Sequence, residues 1–266
     1  MKENRVDTER FGEIRAPVCF EELVSSICEL DNDAYYSSRF WRGQAKAEWP
    51  IETTSFRRAK NSIRPTRETL NDLAIKSDES MLKRARHSGF GFSNGRELND
   101  WELITKLRHY GASTCLLDVS KNPLVGLWFA CSSEQESPGI LFGLLCNEIH
   151  GIEKEHFRAD YTAELFNAKN HNFPMLYDPS TVSPRVAAQS SCFLFGSASD
   201  NPMGSMVYDG TRDGQCFYYI SPELKVECLK KLDQVFCINR LSLFPDIEGF
   251  SQANACEYDM SSDYRW

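Results

Sequence analysis

The chain has 266 residues, with 30 Lys and Arg against 38 Asp and Glu, so its formal net charge is −8. A chain of this length can bury a hydrophobic core without disulfides, and 41% hydrophobic with 26% charged residues is ordinary for a globular protein. These values exclude a collagen-like, coiled-coil or disordered chain. The negative charge disfavours non-specific binding to nucleic acid or anionic lipid.

Hydropathy and cysteine usage predict a cytoplasmic protein without membrane or metal partners. The longest apolar stretches, residues 124–131 and 140–146, are far shorter than the roughly 20 residues of a membrane span. The first ten residues are mostly polar and lack the apolar core of a secretory signal. The ten cysteines form no Cys-x-x-Cys pair, so we expect them to be reduced and mostly buried, and we expect no metal site.

The first 110 residues predict three helices and one strand. Residues 20–30 repeat apolar side chains at helical spacing, which predicts a short helix. Residues 40–44 follow a polar stretch and are typical of a strand end that runs into a turn at Gly43. Residues 66–87 and 98–110 place apolar side chains at helical spacing in a charged background, which predicts two amphipathic helices.

The next stretch predicts a helix between two buried strands. Residues 114–119 are short, apolar and rich in β-forming side chains, as expected for a strand in a core. Asn122 and Pro123 are typical of a helix cap and a first helical position, and residues 124–130 behind them are apolar on all sides. Residues 140–146 predict the second buried strand.

The remaining chain begins with a polar, irregular stretch over residues 147–184, in which residues 153–166 predict a helix. Residues 185–195 and 216–220 predict strands, and residues 222–232 predict a helix. Because strands and helices do not alternate regularly, we predict an α+β fold. One domain over residues 1–266 is expected, with a mixed or antiparallel β core and flanking helices.

Arg42 is the first candidate for ligand binding. A guanidinium is planar, permanently charged and donates hydrogen bonds in a fork, which suits a pyrophosphate or carboxylate at a strand end. Gly43 beside it would let a ligand approach the backbone closely, and Gln44 follows. The alternative is an arginine that pairs with a carboxylate at the edge of the core.

A second group of polar side chains follows the predicted helix over residues 98–110. His109, Tyr110, Thr114, Asp118 and Ser120 lie within twelve residues around a predicted strand, so they could line one pocket. The alternative is structural, with His109 capping its helix and Asp118 forming a turn.

Other chemical motifs are weak. Residues 150–156 contain two His and two Glu, but neither zinc-helix spacing is satisfied, so a solvated charged helix is favoured. The basic residues Arg57, Arg58, Lys60 and Arg64 could hold a chain of phosphates or form an exposed face. The chain lacks a P-loop and a Gly-x-Ser-x-Gly elbow, which argues against P-loop hydrolysis and α/β-hydrolase chemistry.

The segment around Arg42 and the polar group over residues 109–120, in this order, resemble the FRG domain family. The family is named for a Phe-Arg-Gly motif that is usually followed by Gln. Residues 40–50 are similar to its opening block, and residues 109–130 to its His-Tyr-Gly-x-x-Thr-x-Leu-Leu-Asp block. Residues 185–193 and 243–249 are similar to a third and a closing block, so the resemblance covers most of residues 20–255. The chain departs from the usual family residue at Trp41, Cys115, Val119, Ser120, Gly126 and Ser191.

A weaker resemblance is to the NAD-binding half of ADP-ribosyltransferases, and it implies an ADP-ribosyltransferase-like fold. The implied function is a NAD-dependent ADP-ribosyltransferase or NAD-cleaving effector, such as a toxin or an antiviral defence protein, whose acceptor, protein or nucleic acid, stays open. The implied catalytic residues are Arg42, Asp118 and Gln189. The implied NAD-binding residues are Arg42, Gln44, His109, Tyr110, Thr114 and Ser120.

Gln189 separates two functional hypotheses, because the weaker resemblance implies that it stands where the ADP-ribosyltransferases have a Glu. Cleavage of nicotinamide from NAD passes through an oxocarbenium-like ribose, which a carboxylate stabilises and an amide does not. Losing such a contact costs about 2.7–4 kcal/mol. Either Asp118 takes the charged role, or the alternative holds, a non-catalytic module that binds a nucleotide or a protein. A metal-dependent nuclease, which would need clustered carboxylates, ranks last.

Overall fold

The computed structural model describes residues 4–30, 39–62, 69–145, 150–152, 160–170, 174–179, 183–199, 201–207 and 214–254. The strands within these residues are β1 (Arg5–Thr8), β2 (Gly12–Arg15), β3 (Arg39–Gln44), β4 (Phe92–Ser93), β5 (Arg96–Glu97), β6 (Leu117–Ser120), β7 (Gly139–Leu145), β8 (His150–Ile152), β9 (Met175–Tyr177), β10 (Ser191–Phe195) and β11 (Gln215–Ile220). All but β4 and β5, which pair with each other, form one sheet in the order β1-β2-β11-β7-β3-β6-β10-β9-β8.

The sheet is mixed, with an antiparallel centre. Strand β3 pairs antiparallel with β7 on one side and with β6 on the other, and β10 continues the antiparallel pairing beyond β6. The pairs β2–β11 and β8–β9 are parallel. The predicted α+β class with a mixed β core and flanking helices is therefore confirmed.

The helices within the described residues are α1 (Phe20–Glu29), α2 (Thr54–Lys60), α3 (Leu70–His87), α4 (Asp100–His109), α5 (Pro123–Cys131), α6 (Tyr161–Ala168), α7 (Pro184–Ala188), α8 (Pro222–Phe236), α9 (Arg240–Leu243) and α10 (Ile247–Ala253). Their starts follow the capping chemistry of the sequence. Thr69 and Asp72 form a reciprocal capping box at α3. Asn122 caps α5 by accepting a hydrogen bond from the Leu124 amide, with Pro123 at the first position as predicted.

Helices cover both faces of the sheet because side chains alternate across each strand. Phe40 and Phe142 enter one apolar cluster, which also contains Trp101 of α4. Trp41 and Leu141, their chain neighbours, enter the other cluster with residues of α1, α5 and α8. Successive residues of β3 and β7 thus support two separate helical layers.

Strand β3 lies unusually close to α5, and two glycines make this approach possible. A Cβ atom on Gly43 would lie 1.9 Å from the Gly126 carbonyl oxygen and 2.4 Å from the Ala130 amide nitrogen. Gly43 lies within β3 and not in a turn, so the predicted turn is wrong. The sequence predicted that a ligand approaches the backbone closely at Gly43, but the backbone of helix α5 fills this space.

Two further predictions differ from the structure. The strand over residues 185–195 is correct only for β10, because Pro184–Ala188 forms α7 and the chain then reverses at Ser190, whose φ is 46°. Proline at a first helical position and two alanines favour the helix. Helix α2 has no predicted counterpart, since seven residues carry too few apolar positions to reveal a period. Residues 153–159 of the predicted helix and Arg64 of the basic cluster lie outside the described residues.

The described helices and cysteines bear on two other expectations. None of these helices is long and apolar enough to cross a membrane. The eight cysteines that the structure describes are free thiols, and five of them are buried. The expectation of reduced, mostly buried cysteines is confirmed for these eight.

Candidate functional site

A pocket of about 390 Å³ opens where β3, β6, the end of α4 and the turn after α7 meet. Residues from distant parts of the chain come together here because Trp41 lies opposite Ser120 across β3 and β6, and Ser120 lies opposite Ser191 across β6 and β10. Six residues that were predicted for the site line the pocket: Arg42, Gln44, His109, Asp118, Ser120 and Gln189.

Arg42 presents a guanidinium with spare hydrogen-bond donors. Its Nη1 donates to the backbone carbonyl of Asp118 at 2.8 Å, and its Nε has no partner among the described residues. Burial lowers the pKa of Arg42 to about 10, with a smaller opposing effect from Asp118, so the side chain stays charged at neutral pH. Its hydrogen bond goes to a carbonyl, and the Asp118 carboxylate acts on it through charge without a hydrogen bond, so Arg42 keeps donors for an anionic ligand.

Asp118 is held by an arginine that the sequence did not single out. Arg108 donates from Nε at 2.9 Å and from Nη2 at 2.6 Å, both to Asp118 Oδ2. Burial raises the pKa of Asp118, but the charges of Arg108 and Arg42 outweigh burial and place the pKa below its ordinary value. The carboxylate is ionised at neutral pH, and it remains 38% exposed. The arginine bonds leave Oδ1 for another donor.

His109 lies beside these charges with one ring nitrogen engaged. Its Nδ1 shares a 3.0 Å hydrogen bond with Ser183 Oγ, while Nε2 is buried without a partner among the described residues. Burial lowers the pKa of His109, Asp118 opposes this, and the charge of Arg185 lowers it further. The ring is therefore neutral at pH 7, and Nε2 can serve a neutral ligand group.

The remaining predicted residues of the pocket wall use their side chains mostly for the protein itself. Gln44 Nε2 donates to the Trp49 carbonyl at 3.0 Å. Ser120 Oγ donates to the Gln189 carbonyl at 2.7 Å, and Gln189 Nε2 donates to the Leu243 carbonyl at 2.9 Å. Gln189 follows α7 and is not on a strand. These residues shape the wall, and Gln189 brings no charge to it.

Arg185, which the predicted site did not include, closes the side of the pocket next to the carboxyl-terminal helices. Its guanidinium bonds to both carboxyl oxygens of Asp246, at 2.8 Å for Nη2, and to Glu248 at 2.8 Å. It also lies 5.0 Å from the centroid of the Phe244 ring and donates to the His109 carbonyl at 2.7 Å. Two carboxylates neutralise this arginine, so its main effect is to hold α10 against the end of α4.

Tyr110 and Thr114 do not line the pocket. The Tyr110 side chain is 65% exposed and lies under Arg185, with 5.8 Å between the guanidinium carbon and the ring centroid. Thr114 is fully buried, and its amide donates to Thr54 Oγ1 at 3.1 Å. The resemblance places both at a ligand, but Tyr110 points to the surface at the end of α4 and Thr114 points into the core.

Comparison with known proteins identifies one part of the chain. Residues 37–138 match the FRG domain. The FRG match contains β3 and helices α2 to α5, and with them Arg42, His109 and Asp118, so the resemblance of the first two sequence blocks is confirmed. The third and closing blocks, with Gln189 and Arg185, lie outside the FRG match, and one domain over residues 1–266 stays a prediction. No curated protein and no solved structure gives a significant match to the chain.

The wall of the pocket combines the positive charges of Arg42 and Arg108 with the ionised carboxylate of Asp118. Arg42 has unused donors, Asp118 has an unused acceptor oxygen, and neutral His109 has an unused ring nitrogen. No group of three His, Cys, Asp or Glu side chains suited to a metal occurs among the described residues. The arrangement suits a ligand that carries both an anionic group and hydroxyl donors.

Proposed function

We propose that the pocket binds a nucleotide and that NAD is this nucleotide. The observation that carries the proposal is the partly buried guanidinium of Arg42, which lines the pocket with spare donors and has no hydrogen bond to a carboxylate among the described residues. Such a group binds phosphate strongly because the charge-assisted hydrogen bonds are made away from bulk water. The FRG match over residues 37–138 includes this arginine but names no ligand.

Asp118 would recognise the ribose. A hydroxyl group of ribose can donate to Oδ1, since Arg108 bonds only to Oδ2. The lowered pKa of Asp118 keeps this acceptor ionised at neutral pH. A phosphate at Arg42 and a ribose at Asp118 are compatible with one ligand, because Arg42 bonds to the backbone of Asp118 itself.

The reaction that we propose is transfer or hydrolysis at the bond between nicotinamide and ribose. That bond breaks with its electron pair leaving on nicotinamide, and the ribose carbon is attacked by an acceptor or by water, which then loses a proton. Asp118 would stabilise the positive charge that develops on the ribose. Gln189 has no charge for this role and is bonded to the Leu243 carbonyl.

A non-catalytic nucleotide-binding module is the second candidate, and a specific observation favours it. Arg108 pairs with Asp118, the one carboxylate among the described residues that line the pocket, and this pairing reduces the negative charge that the ribose would meet. The same Arg42 contact would bind the nucleotide in both cases. Both candidate functions therefore predict that the protein binds NAD, and only the enzyme releases nicotinamide.

Proton NMR of NAD incubated with the protein separates these candidates. We expect free nicotinamide to accumulate with the wild type and not with Arg42→Ala. Arg84→Ala, which removes an exposed arginine of α3, is the matched control and should behave as the wild type. Broadened NAD signals without nicotinamide would establish binding without turnover. Unchanged signals with a folded wild-type sample would overturn the NAD proposal.

A further inference from the structure

A second cavity of about 650 Å³ lies along α2 and α3. Its lining contains two arginines, several hydroxyl side chains, one amide side chain and the apolar residues Ala59 and Leu73. The polar residues are Thr54, Ser55, Arg57, Arg58, Asn61, Ser62 and Ser77. No Asp or Glu lines this cavity within the described residues, although the whole chain has a net charge of −8.

The two arginines retain most of their hydrogen-bonding capacity. Arg58 is exposed, and it has no polar partner among the described residues. Arg57 lies 4.0 Å from Glu52, whose other oxygen is bound by Lys60 at 2.6 Å. Because Phe56 and Ala59 bury one side of α2, Arg57 and Arg58 are held on its accessible side. Favourable interaction with the carboxyl end of the helix explains cations at this end, but it does not explain the cavity beside them.

The cavity adjoins the pocket through one pair of residues. Thr54 lines the cavity, and its Oγ1 accepts a 3.4 Å hydrogen bond from Nη1 of Arg108, which lines the pocket. The charge of Arg57 also acts on Arg42. This hydrogen-bonded pair forms a wall between the two spaces, so a ligand that occupies both must pass over it, with Arg42 on one side and Arg57 and Arg58 on the other.

Size favours such a ligand. The pocket volume of about 390 Å³ is near the lower end of the roughly 300–1,000 Å³ found for ligand sites. One nucleotide unit suits this space better than two. A dinucleotide needs further room, and the cavity along α2 offers it with cations for the phosphates.

We propose that the cavity along α2 binds the second nucleotide unit of a dinucleotide, with Arg58 and Arg57 contacting its phosphate. This inference rests on the proposed function, because the first unit occupies the Arg42 pocket. It extends the NAD site beyond the Arg42 pocket and assigns Arg58 to specificity for two nucleotide units over one.

Calorimetric titration of the full chain with nicotinamide mononucleotide and with NAD tests the inference. We expect NAD to bind more tightly than the mononucleotide to the wild type. Arg58→Gln should weaken NAD binding by about tenfold, or about 1.4 kcal/mol, and leave the mononucleotide within about twofold. Arg84→Gln, the control on α3, should change neither affinity.

The results distinguish the two proposals. If Arg42→Ala abolishes binding of both ligands but Arg58→Gln leaves NAD affinity unchanged, the nucleotide pocket stands and the second unit's site is overturned. If the wild type binds neither nucleotide, the nucleotide function and the dinucleotide inference both fail. In that case, titration with inorganic pyrophosphate tests the cavity alone. If the wild type binds pyrophosphate and Arg58→Gln does not, the cavity is an anion site. If the wild type does not bind pyrophosphate, the cavity is not an anion site.

Discussion

At the scale of single residues, the candidate site depends on an arginine whose importance the sequence conceals. Arg108 is an ordinary residue in the last turn of an amphipathic helix, where a cation is common. Only the fold brings its guanidinium to Asp118 and Thr54. The predicted pocket contained the carboxylate but lacked the side chain that positions it.

Replacement of Arg108 by Met should destabilise the protein by about 1–2 kcal/mol. This is less than the roughly 3–5 kcal/mol for breaking a fully buried pair, because Asp118 is 38% exposed and water screens the unpaired charge. The midpoint of urea unfolding measures the change. Lys83→Met breaks the exposed pair with Glu79 and should cost less than about 0.5 kcal/mol. Equal losses for the two variants would contradict a positioning role for Arg108.

At the scale of elements, buried polar side chains join segments that the sequence treats separately. Asp78 of α3 accepts hydrogen bonds from Ser55 Oγ at 2.8 Å, the Cys115 amide at 2.8 Å and Tyr161 Oη at 2.7 Å. It therefore connects α2, the segment before β6 and α6. Lys225 of α8 makes a similar connection through three carbonyls, among them Ala45 after β3 at 2.7 Å. Both residues hold the framework around the pocket.

The contact of β3 with α5 gives an element-scale prediction. Gly43→Ala should destabilise the protein by about 3 kcal/mol or more, because its Cβ would overlap backbone atoms of α5 that cannot move independently. Thermal or urea unfolding measures the loss. Gly91→Ala is the matched control, since its nearest neighbour is the flexible Arg86 side chain at 3.4 Å. A small effect at Gly43 would mean that α5 moves away from β3 without cost.

At the scale of the whole molecule, acid should weaken the fold through the carboxylates at the pocket. The hydrogen bond from Arg185 lowers the pKa of Asp246, and the charges of Arg108 and Arg42 lower that of Asp118 against the effect of burial. Both pKa values lie below the unfolded value of about 3.9, so the unfolded state binds protons first as the pH falls. The stabilisation is complete above the unfolded value and is lost as the pH falls through the folded values.

Urea unfolding between pH 6 and pH 2.5, at several values, measures this loss. Asp246→Asn should be less stable than the wild type near pH 6, and the difference should shrink toward the acidic end. Asp7→Asn changes an exposed carboxylate of β1 and should stay close to the wild type throughout. A difference for Asp246→Asn that does not depend on pH would contradict the contribution of its ionised form.

The sequence alone determined the class of fold, most element positions and the two segments that carry the site. Helical periodicity, Asn122 with Pro123, and the apolar strands β6 and β7 are local signals, and the structure contains each of them close to its predicted place. The FRG match covers the same two segments. These features depend on neighbours within a few residues, which a single sequence displays directly.

The tertiary structure alone decided which of those residues share a pocket. Strand pairing brings Arg42 to Asp118, while the end of α4 turns Tyr110 outward and Thr114 into the core. The burial of Asp78 and Lys225 also follows from contacts between distant segments. Side-chain direction at the end of an element depends on what packs against it, and that partner comes from a distant part of the sequence, as Thr54 does for Thr114.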